Sequence, residues 1–467
     1  MDNFLINLDY YNNSIDSLTF GKNKSGSHIN REYKINKLSS KKSMKLRQLG
    51  LQVTEDCNLR CTYCYQCKKI PNKMSLDECK QAIDMIFGCD NDKYCNFIFH
   101  EPFILHFIGG EPFLEDKTIY YASKYFVEKL KENHMEDLNW YIWIPTNGIP
   151  LYKEYAQKFV DEFKDKLSLT ISLDGCEECH NACRKTITGE GSYAATKKAF
   201  TEFNERLGKG HYPDTKFTMS PDNIQFYSKS MIEWLQEGVY NIFSNWILEG
   251  SYSIEDARKY YYEAKKVADY IIDNDMEYLV RYAVFDRTSD TMQEPYTSQV
   301  ACGAAGYNIA VIPGGYILPC VRLAASSLDD DVEPYVIGTL TDGIGYDEKT
   351  LDRFNHIWIT KYDISSFKCF NCPLNSICID CVGNDYNIRK IDYNLSKHTG
   401  ECNIVVADYL ARAYGINKFY RKRENIDKNY FFKSYKLIVP DDMAIPIIGE
   451  EELNMIKHLS KEYLSHM

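Results

Sequence analysis

Between residues 49 and 248, short apolar runs alternate with segments patterned as amphipathic helices, and this alternation narrows the fold more than any other feature. The runs are Leu49–Thr54, Phe103–Ile108, Tyr141–Ile144, Leu167–Leu173, Lys216–Met219 and Tyr240–Leu248. Between them lie helical patterns at Ser75–Phe87, Thr118–Glu132, Leu151–Phe163, Tyr193–Leu207 and Gln225–Glu237. Ser75 followed by Glu78 predicts a capping box at the first of these. Six such alternations predict an α/β fold with a parallel sheet, open or curved into a partial (β/α)6 barrel. Ligands of such sheets sit beyond the carboxyl ends of the strands.

The second feature is cysteine. Seventeen occur among 467 residues. The N-terminal Met1-Asp2-Asn3-Phe4 opens no basic-then-apolar export signal, so a cytoplasmic location is expected. There thiols stay reduced, and clustered cysteines point to metal ligation or redox chemistry rather than disulfides. No apolar stretch is long enough to span a bilayer, so no membrane partner is expected. A formal charge of -11 disfavours a nucleic-acid partner.

The cysteines fall into groups. Cys57, Cys61 and Cys64 form a C-x3-C-x2-C loop directly after the first apolar run, with Cys67 close behind. Three thiolates so spaced can take three irons of a 4Fe-4S cube and leave the fourth iron open; a zinc knuckle would want a matching second pair nearby. A second group is Cys176, Cys179 and Cys183, on one face if Glu177–Lys185 is helical. Small buried thiols packed against the sheet are its simpler reading. The third runs through Cys302, Cys320, Cys369, Cys372, Cys378, Cys381 and Cys402, where glycine-punctuated β-runs (Asn308–Ile312, Tyr316–Leu318) replace the earlier alternation.

The three-cysteine loop, with Tyr63 before its last cysteine, resembles the signature of the radical S-adenosylmethionine (SAM) enzymes. Further motifs follow the strands in that family's order: Gly109-Gly110-Glu111-Pro112, Thr146-Asn147-Gly148, Ser172-Leu173-Asp174-Gly175, Arg184, Gly191-Ser192-Tyr193 and Ser220-Pro221-Asp222-Asn223. The resemblance implies a SAM-binding cluster on Cys57, Cys61 and Cys64. It implies cofactor contacts from Tyr63, Gly109, Gly110, Glu111, Asn147, Ser172, Asp174 and Arg184. In this scheme the Gly-Gly-Glu segment meets the methionine ammonium, Ser172 and Asp174 meet the ribose, and Arg184 meets the methionine carboxylate. Reductive cleavage of SAM then gives a 5′-deoxyadenosyl radical that takes a hydrogen atom from substrate. No catalytic residue is assigned beyond the cluster.

The third group is similar to the SPASM domain of peptide-modifying radical enzymes. That similarity implies two auxiliary 4Fe-4S clusters, one on Cys302, Cys320 and Cys381, the other on Cys369, Cys372, Cys378 and Cys402. The chain departs from the usual spacing before Cys381, with two intervening residues instead of three. The expected organisation is an N-terminal extension (1–46), a radical SAM partial barrel (47–250), a helical bridge (251–300), a smaller cysteine-rich iron–sulfur domain (301–410) and a tail (411–467). The expected substrate is a ribosomally made, Cys-containing precursor peptide, and the product a thioether or carbon–carbon crosslink. An electron donor such as flavodoxin or ferredoxin and a separate leader-binding protein are the further partners implied. Alternatives are a formylglycine-forming sulfatase maturase, a peptide epimerase and a structural or electron-transfer iron–sulfur or zinc protein. Sulfatase-maturating relatives carry an extra cysteine between the positions of Cys302 and Cys320, and residues 303–319 hold none.

Overall fold

The structure is a computed structural model that describes residues 43–88, 95–207, 215–240, 242–277, 303–304, 306–357, 366–375, 378, 381–390, 400–422 and 437–465. Cys302 and the extension up to residue 42 lie outside the described residues.

The six apolar runs become strands β1 (Ser43–Thr54), β2 (Asn96–Gly109), β3 (Trp140–Thr146), β4 (Leu167–Ile171), β5 (Thr215–Met219) and β6 (Ile242–Trp246). The helices after them are α1 (Leu76–Ile86), α2 (Asp116–Glu132), α3 (Glu154–Phe163), α4 (Glu177–Cys183), α5 (Tyr193–Leu207), α6 (Tyr227–Gln236) and α7 (Ile254–Asp273). Ser75 and Glu78 close the expected capping box on α1, and Ser253 and Asp256 close another on α7. These pairings satisfy N–H groups that a helix start leaves without intrahelical partners.

Neighbouring strands from β2 to β6 pair in parallel, in sequence order. Alternation along each strand sorts the side chains by face. Leu49, Leu51 and Val53 of β1, Phe103, Leu105 and Phe107 of β2, and Ile142 and Ile144 of β3 are fully buried. The outward face packs on the helices: Phe103 stacks on Phe126 of α2, and Phe217 of β5 meets Tyr227 and Trp234 of α6. The residues between them face the concave side. These include Gln48, Gln52, His106, Trp143, Thr170 and Lys216, a polar set in otherwise apolar strands.

The sheet continues past residue 300. Strand β7 (Asn308–Ile312) pairs in parallel with β1, Gln48 opposite Asn308 and Leu51 opposite Val311. Strands β8 (Tyr316–Leu318), β9 (Gly338–Thr339) and β10 (Gly343–Ile344) add antiparallel, giving a ten-stranded sheet ordered β10-β9-β8-β7-β1-β2-β3-β4-β5-β6. The cysteine-rich region is thereby joined by backbone bonds to the first strand of the barrel.

Helices α8 (Glu348–Asn355), α9 (Phe367–Phe370), α10 (Val382–Arg389), α11 (Cys402–Lys422) and α12 (Asp441–Ser465) complete the chain. α11 is buried nearly all round, between α7 and α12. Polar pairs fix this layer: Tyr260 Oη donates to Asp408 at 2.7 Å, Tyr261 Oη to Glu452 at 2.7 Å and Asn417 Nδ2 to Ser460 at 2.7 Å. The tail differs from expectation in one respect. A short strand is expected at Tyr435–Val439, but residues 437–439 are not strand, and helix begins at Asp441 and kinks at Gly449.

Candidate active site

The cysteine loop hangs from the carboxyl end of β1 and is pinned on two sides. On one side Arg60 N donates to Lys185 O at 2.7 Å and Thr62 N to Cys183 O at 2.9 Å. On the other, Gly110 N donates to Thr54 O at 3.0 Å and Glu111 N to Asp56 O at 2.9 Å. The approach is too close for any side chain. A Cβ on Gly109 would lie 2.4 Å from Thr54 O, and one on Gly110 would lie 2.1 Å from Asp56 O and 2.9 Å from Cys57 Cβ. The Gly-Gly pair therefore sets where the loop sits.

Donors already face the three sulfurs. Leu59 N lies 3.4 Å from Cys57 Sγ, Lys69 Nζ 3.2 Å from Cys64 Sγ and Arg184 Nη1 3.8 Å from Cys61 Sγ. All three cysteines are free. Burial, with Glu111 adding to it, pushes the Cys57 thiol up to about 12, and burial also raises Cys61. Protons would thus have to leave as metal binds. Among the described residues, no three His, Cys, Asp or Glu side chains close on a single metal ion. A four-iron cube takes its thiolates on separate irons, so the sulfurs need not converge on one point. The all-thiol donor set with N–H groups turned toward it fits that group.

Around the loop, the strand ends are tied together by buried polar residues. Glu111 is 1% exposed; it accepts from Thr146 Oγ1 at 2.7 Å, Asn147 N at 2.7 Å and Phe113 N at 3.1 Å. Burial raises its carboxyl to about 7 against those hydrogen bonds. Asn147 in turn donates from Nδ2 to Asn58 Oδ1 at 2.7 Å, linking the end of β3 to the cysteine loop. Asp174, fully buried after β4, is a second hub. It accepts from Tyr63 Oη, from Arg184 Nε at 2.9 Å and from Thr218 N at 3.0 Å. The Arg184 guanidinium also lies over the Tyr63 ring. Ser172 is partly exposed, and its hydroxyl has no hydrogen bond to another described residue.

His180 reads from the sequence as a hydrogen-bonding residue rather than a metal ligand, and it is one, though its partners are not legible there. Its Nδ1 accepts from Asp174 N at 3.2 Å and its Nε2 meets Ser192 Oγ at 2.9 Å, while Ser192 Oγ donates to Arg184 O at 3.0 Å. Burial, with Arg184 adding to it, holds this imidazole neutral, pushed down to about 2. Its place in a short helix beside Ser192 carries no periodic signal. Cys176, at the N-cap of α4, and Cys179 and Cys183 within it are buried; their sulfurs meet Ser230, Asn223 and Ser220, and that of Cys183 also meets Thr62 of the cysteine loop.

The later cysteines gather in two places. Cys320 and Cys381 lie with Cys64 in electrostatic reach of Tyr65, whose ring is covered by the Arg322 guanidinium at 4.3 Å. Cys369 and Cys372 lie in reach of Cys402. Cys378 is half-buried after the Cys372 turn, its N–H bonded to Leu374 O at 2.9 Å.

Residues 51–211 match the family model described as the Radical SAM superfamily. The chain carries a radical SAM domain, which is an enzyme domain. A "Cysteine-type anaerobic sulfatase-maturating enzyme" of Clostridium novyi (strain NT) is 27% identical over 155 residues, 32% of this chain and 37% of that protein. A "Probable GTP 3',8-cyclase" of Methanococcus maripaludis (strain C6) is 29% identical over 160 residues, 33% of this chain and 44% of that protein. The chain thus matches less than half the length of these curated relatives. Among solved structures, "Native anSMEcpe with bound AdoMet and Cp18Cys peptide" superposes with a TM-score of 0.57 at 18% identity, over 80% of this chain and 99% of that one. At that identity the likeness is one of fold, and it extends beyond the radical SAM domain.

Proposed function

We propose that the chain is a radical SAM peptide maturase that crosslinks a ribosomally made, Cys-containing precursor through a thioether or carbon–carbon bond. The observation that carries this reading is the convergence of the Cys57–Cys64 loop with the Tyr63–Asp174–Arg184 group at the strand ends. When bound, the cluster and SAM together supply one electron and a 5′-deoxyadenosyl radical that takes hydrogen from substrate. The chain's own residues then bind and orient. Arg184, braced on Asp174, keeps guanidinium N–H groups for a carboxylate. Asp174 Oδ1 takes only Thr218 N, so Asp174 keeps acceptor capacity for a ribose hydroxyl beside Ser172. Glu111 positions the Gly109-Gly110 segment, and an ammonium would meet either its Oε2, which takes only Asn147 N, or the carbonyls around Gly109 and Gly110.

We assign residues 47–250 to the catalytic barrel and 301–410 to a SPASM-like domain, with auxiliary clusters on Cys302, Cys320 and Cys381 and on Cys369, Cys372, Cys378 and Cys402. The gathering of Cys320 with Cys381 and of Cys402 with Cys369 and Cys372 supports this division. A flavodoxin or ferredoxin would supply electrons.

Formylglycine formation on a sulfatase is the second reading, favoured by the sulfatase-maturating relatives. Absence of a cysteine from residues 303–319 weighs against it. Anaerobic reconstitution with the precursor encoded nearby, followed by mass analysis, separates the readings. Loss of two hydrogens per crosslink supports a maturase, loss of sulfur from one cysteine supports formylglycine formation, and unchanged mass with deuterium uptake at an alpha carbon supports epimerisation.

A further inference from the structure

The concave face of the sheet holds a polar chain with no part in the framework above. Gln48 Nε2 lies 3.0 Å from His106 Nδ1, the His106 ring stacks on Trp143 at 4.3 Å, and Trp143 Nε1 donates to Thr170 Oγ1 at 3.0 Å. This rigid row crosses four strands, β1 to β4. Beyond it stands Lys216 on β5, close enough to depress the basicity of His106.

Three observations show that this face is incomplete by itself. His106 is 5% exposed, yet its Nε2 has no hydrogen-bond partner, and the buried Gln52 Oε1 on β1 has none. Buried polar atoms seldom stay unpaired. Lys216 has no hydrogen bond or ion pair to any described residue. The charged groups around Lys216 are also unbalanced. Among the described residues, Arg322, Arg184 and Asp174 are the charged groups in its electrostatic reach. Asp174 is taken by Arg184, and Arg322 is paired with Glu249. One ammonium is left over, half-buried and without a counter-ion, and a partly desolvated charge favours a partner. Burial and the two guanidinium groups push it down to about 8, as expected for a cation lacking its counter-ion.

We propose that Lys216, with His106 beside it, binds a carboxylate of the substrate peptide on the concave face of the barrel. The row from Gln48 to Thr170 holds His106 rigid, so its free Nε2 and the Lys216 ammonium form a preset two-point donor site. Trp143 gives the neighbouring peptide chain an aromatic wall. The carboxylate comes from an Asp or Glu side chain or from the peptide's C-terminus. This inference rests on the maturase reading for its peptide but not for its charge.

The test uses the full-length enzyme, anaerobically reconstituted and SAM-loaded. It is offered a pool of short synthetic peptides, each with one cysteine and a neighbouring position that is Asp, Glu, Asn or Gln, made with either a free or an amidated C-terminus. Bound peptides are counted by mass spectrometry. We expect the wild type to enrich carboxylate-bearing peptides about tenfold over their amide twins, K216Q to abolish that preference and K216R to keep it. Enrichment of Asp and Glu members names a side chain as the source; enrichment of free C-termini alone names the terminus. Equal recovery of acid and amide twins by the wild type overturns the site whether or not K216Q folds, and so does a preference that K216Q retains. Peptide-free reductive cleavage of SAM, followed in the same wild-type preparation, tests the maturase reading separately. Failure there with acid selection intact would remove the reading and leave the site; the converse would remove the site alone.

Discussion

Asp174 bears more on this centre than its sequence motif conveys. Its position in Ser172-Leu173-Asp174-Gly175 suggests contact with a sugar, and the structure adds that it is the common acceptor for Tyr63, Arg184 and Thr218. Such a convergence joins residues far apart in sequence, and no local pattern encodes it. The same holds for Glu111, legible as part of a Gly-Gly-Glu turn but not as the clamp between β2 and β3. Replacing Asp174 by Asn leaves the Arg184 guanidinium buried without a counter-charge. We expect D174N to lose roughly 3 kcal/mol of stability or more, measured by denaturant unfolding; a loss under ~1 kcal/mol would show that the pair matters little. Gly110→Ala should displace the cysteine loop, because its Cβ would collide with Asp56 O at 2.1 Å. Iron and sulfide content after reconstitution should fall well below wild type. Two neutral imidazoles add a pH dependence. His106 and His180 are pushed down to about 3 and about 2, below the unfolded value near 6.5. The unfolded chain therefore takes up protons first as pH drops. Stability from these groups is complete above pH ~6.5 and declines as pH falls toward the folded values. H180Q should flatten that decline when unfolding midpoints at pH 5 and pH 7 are compared.

At the scale of elements, the sequence pattern is informative where one face is apolar and the ends are capped. Tyr193–Leu207 has the same bounds in the sequence pattern and in the structure, and the strand at Asn308–Ile312 does too. Errors cluster where short-range chemistry competes with periodicity. The pattern at Leu151–Phe163 merges a 3-10 turn, Ile149–Tyr152, with α3, since both present apolar residues inward. The sequence pattern reads as helix only over Glu450–Tyr463, whereas the last helix begins nine residues earlier, at Asp441; Pro446 and Gly449 look like breakers, yet the chain accommodates them in a kink. The Ser75–Glu78 capping box is local and readable, whereas that of Ser253 and Asp256 emerges only in the structure. Ser75→Ala should cost about 1 kcal/mol, with α1 amides exchanging faster; unchanged exchange protection along α1 would contradict the capping account.

For the whole molecule, what stayed hidden is the join between halves. The alternation up to residue 248 predicts the barrel, but nothing in it says that β7 will pair with β1 more than 250 residues away. Parallel pairing depends on tertiary closure rather than on a turn signal. The join brings Cys320 and Cys381, with Cys64 of the first loop, into electrostatic reach of Tyr65. The decisive measurement compares wild type with a C57A/C61A/C64A variant, both reconstituted without oxygen, by Mössbauer spectroscopy and by 5′-deoxyadenosine yield under reduction. Wild type should contain a cube whose spectrum changes when SAM is added, and should release 5′-deoxyadenosine. The variant should keep the iron held by its later cysteines and release none. Retained SAM cleavage in the variant, or a wild type without such a cube, would contradict the account.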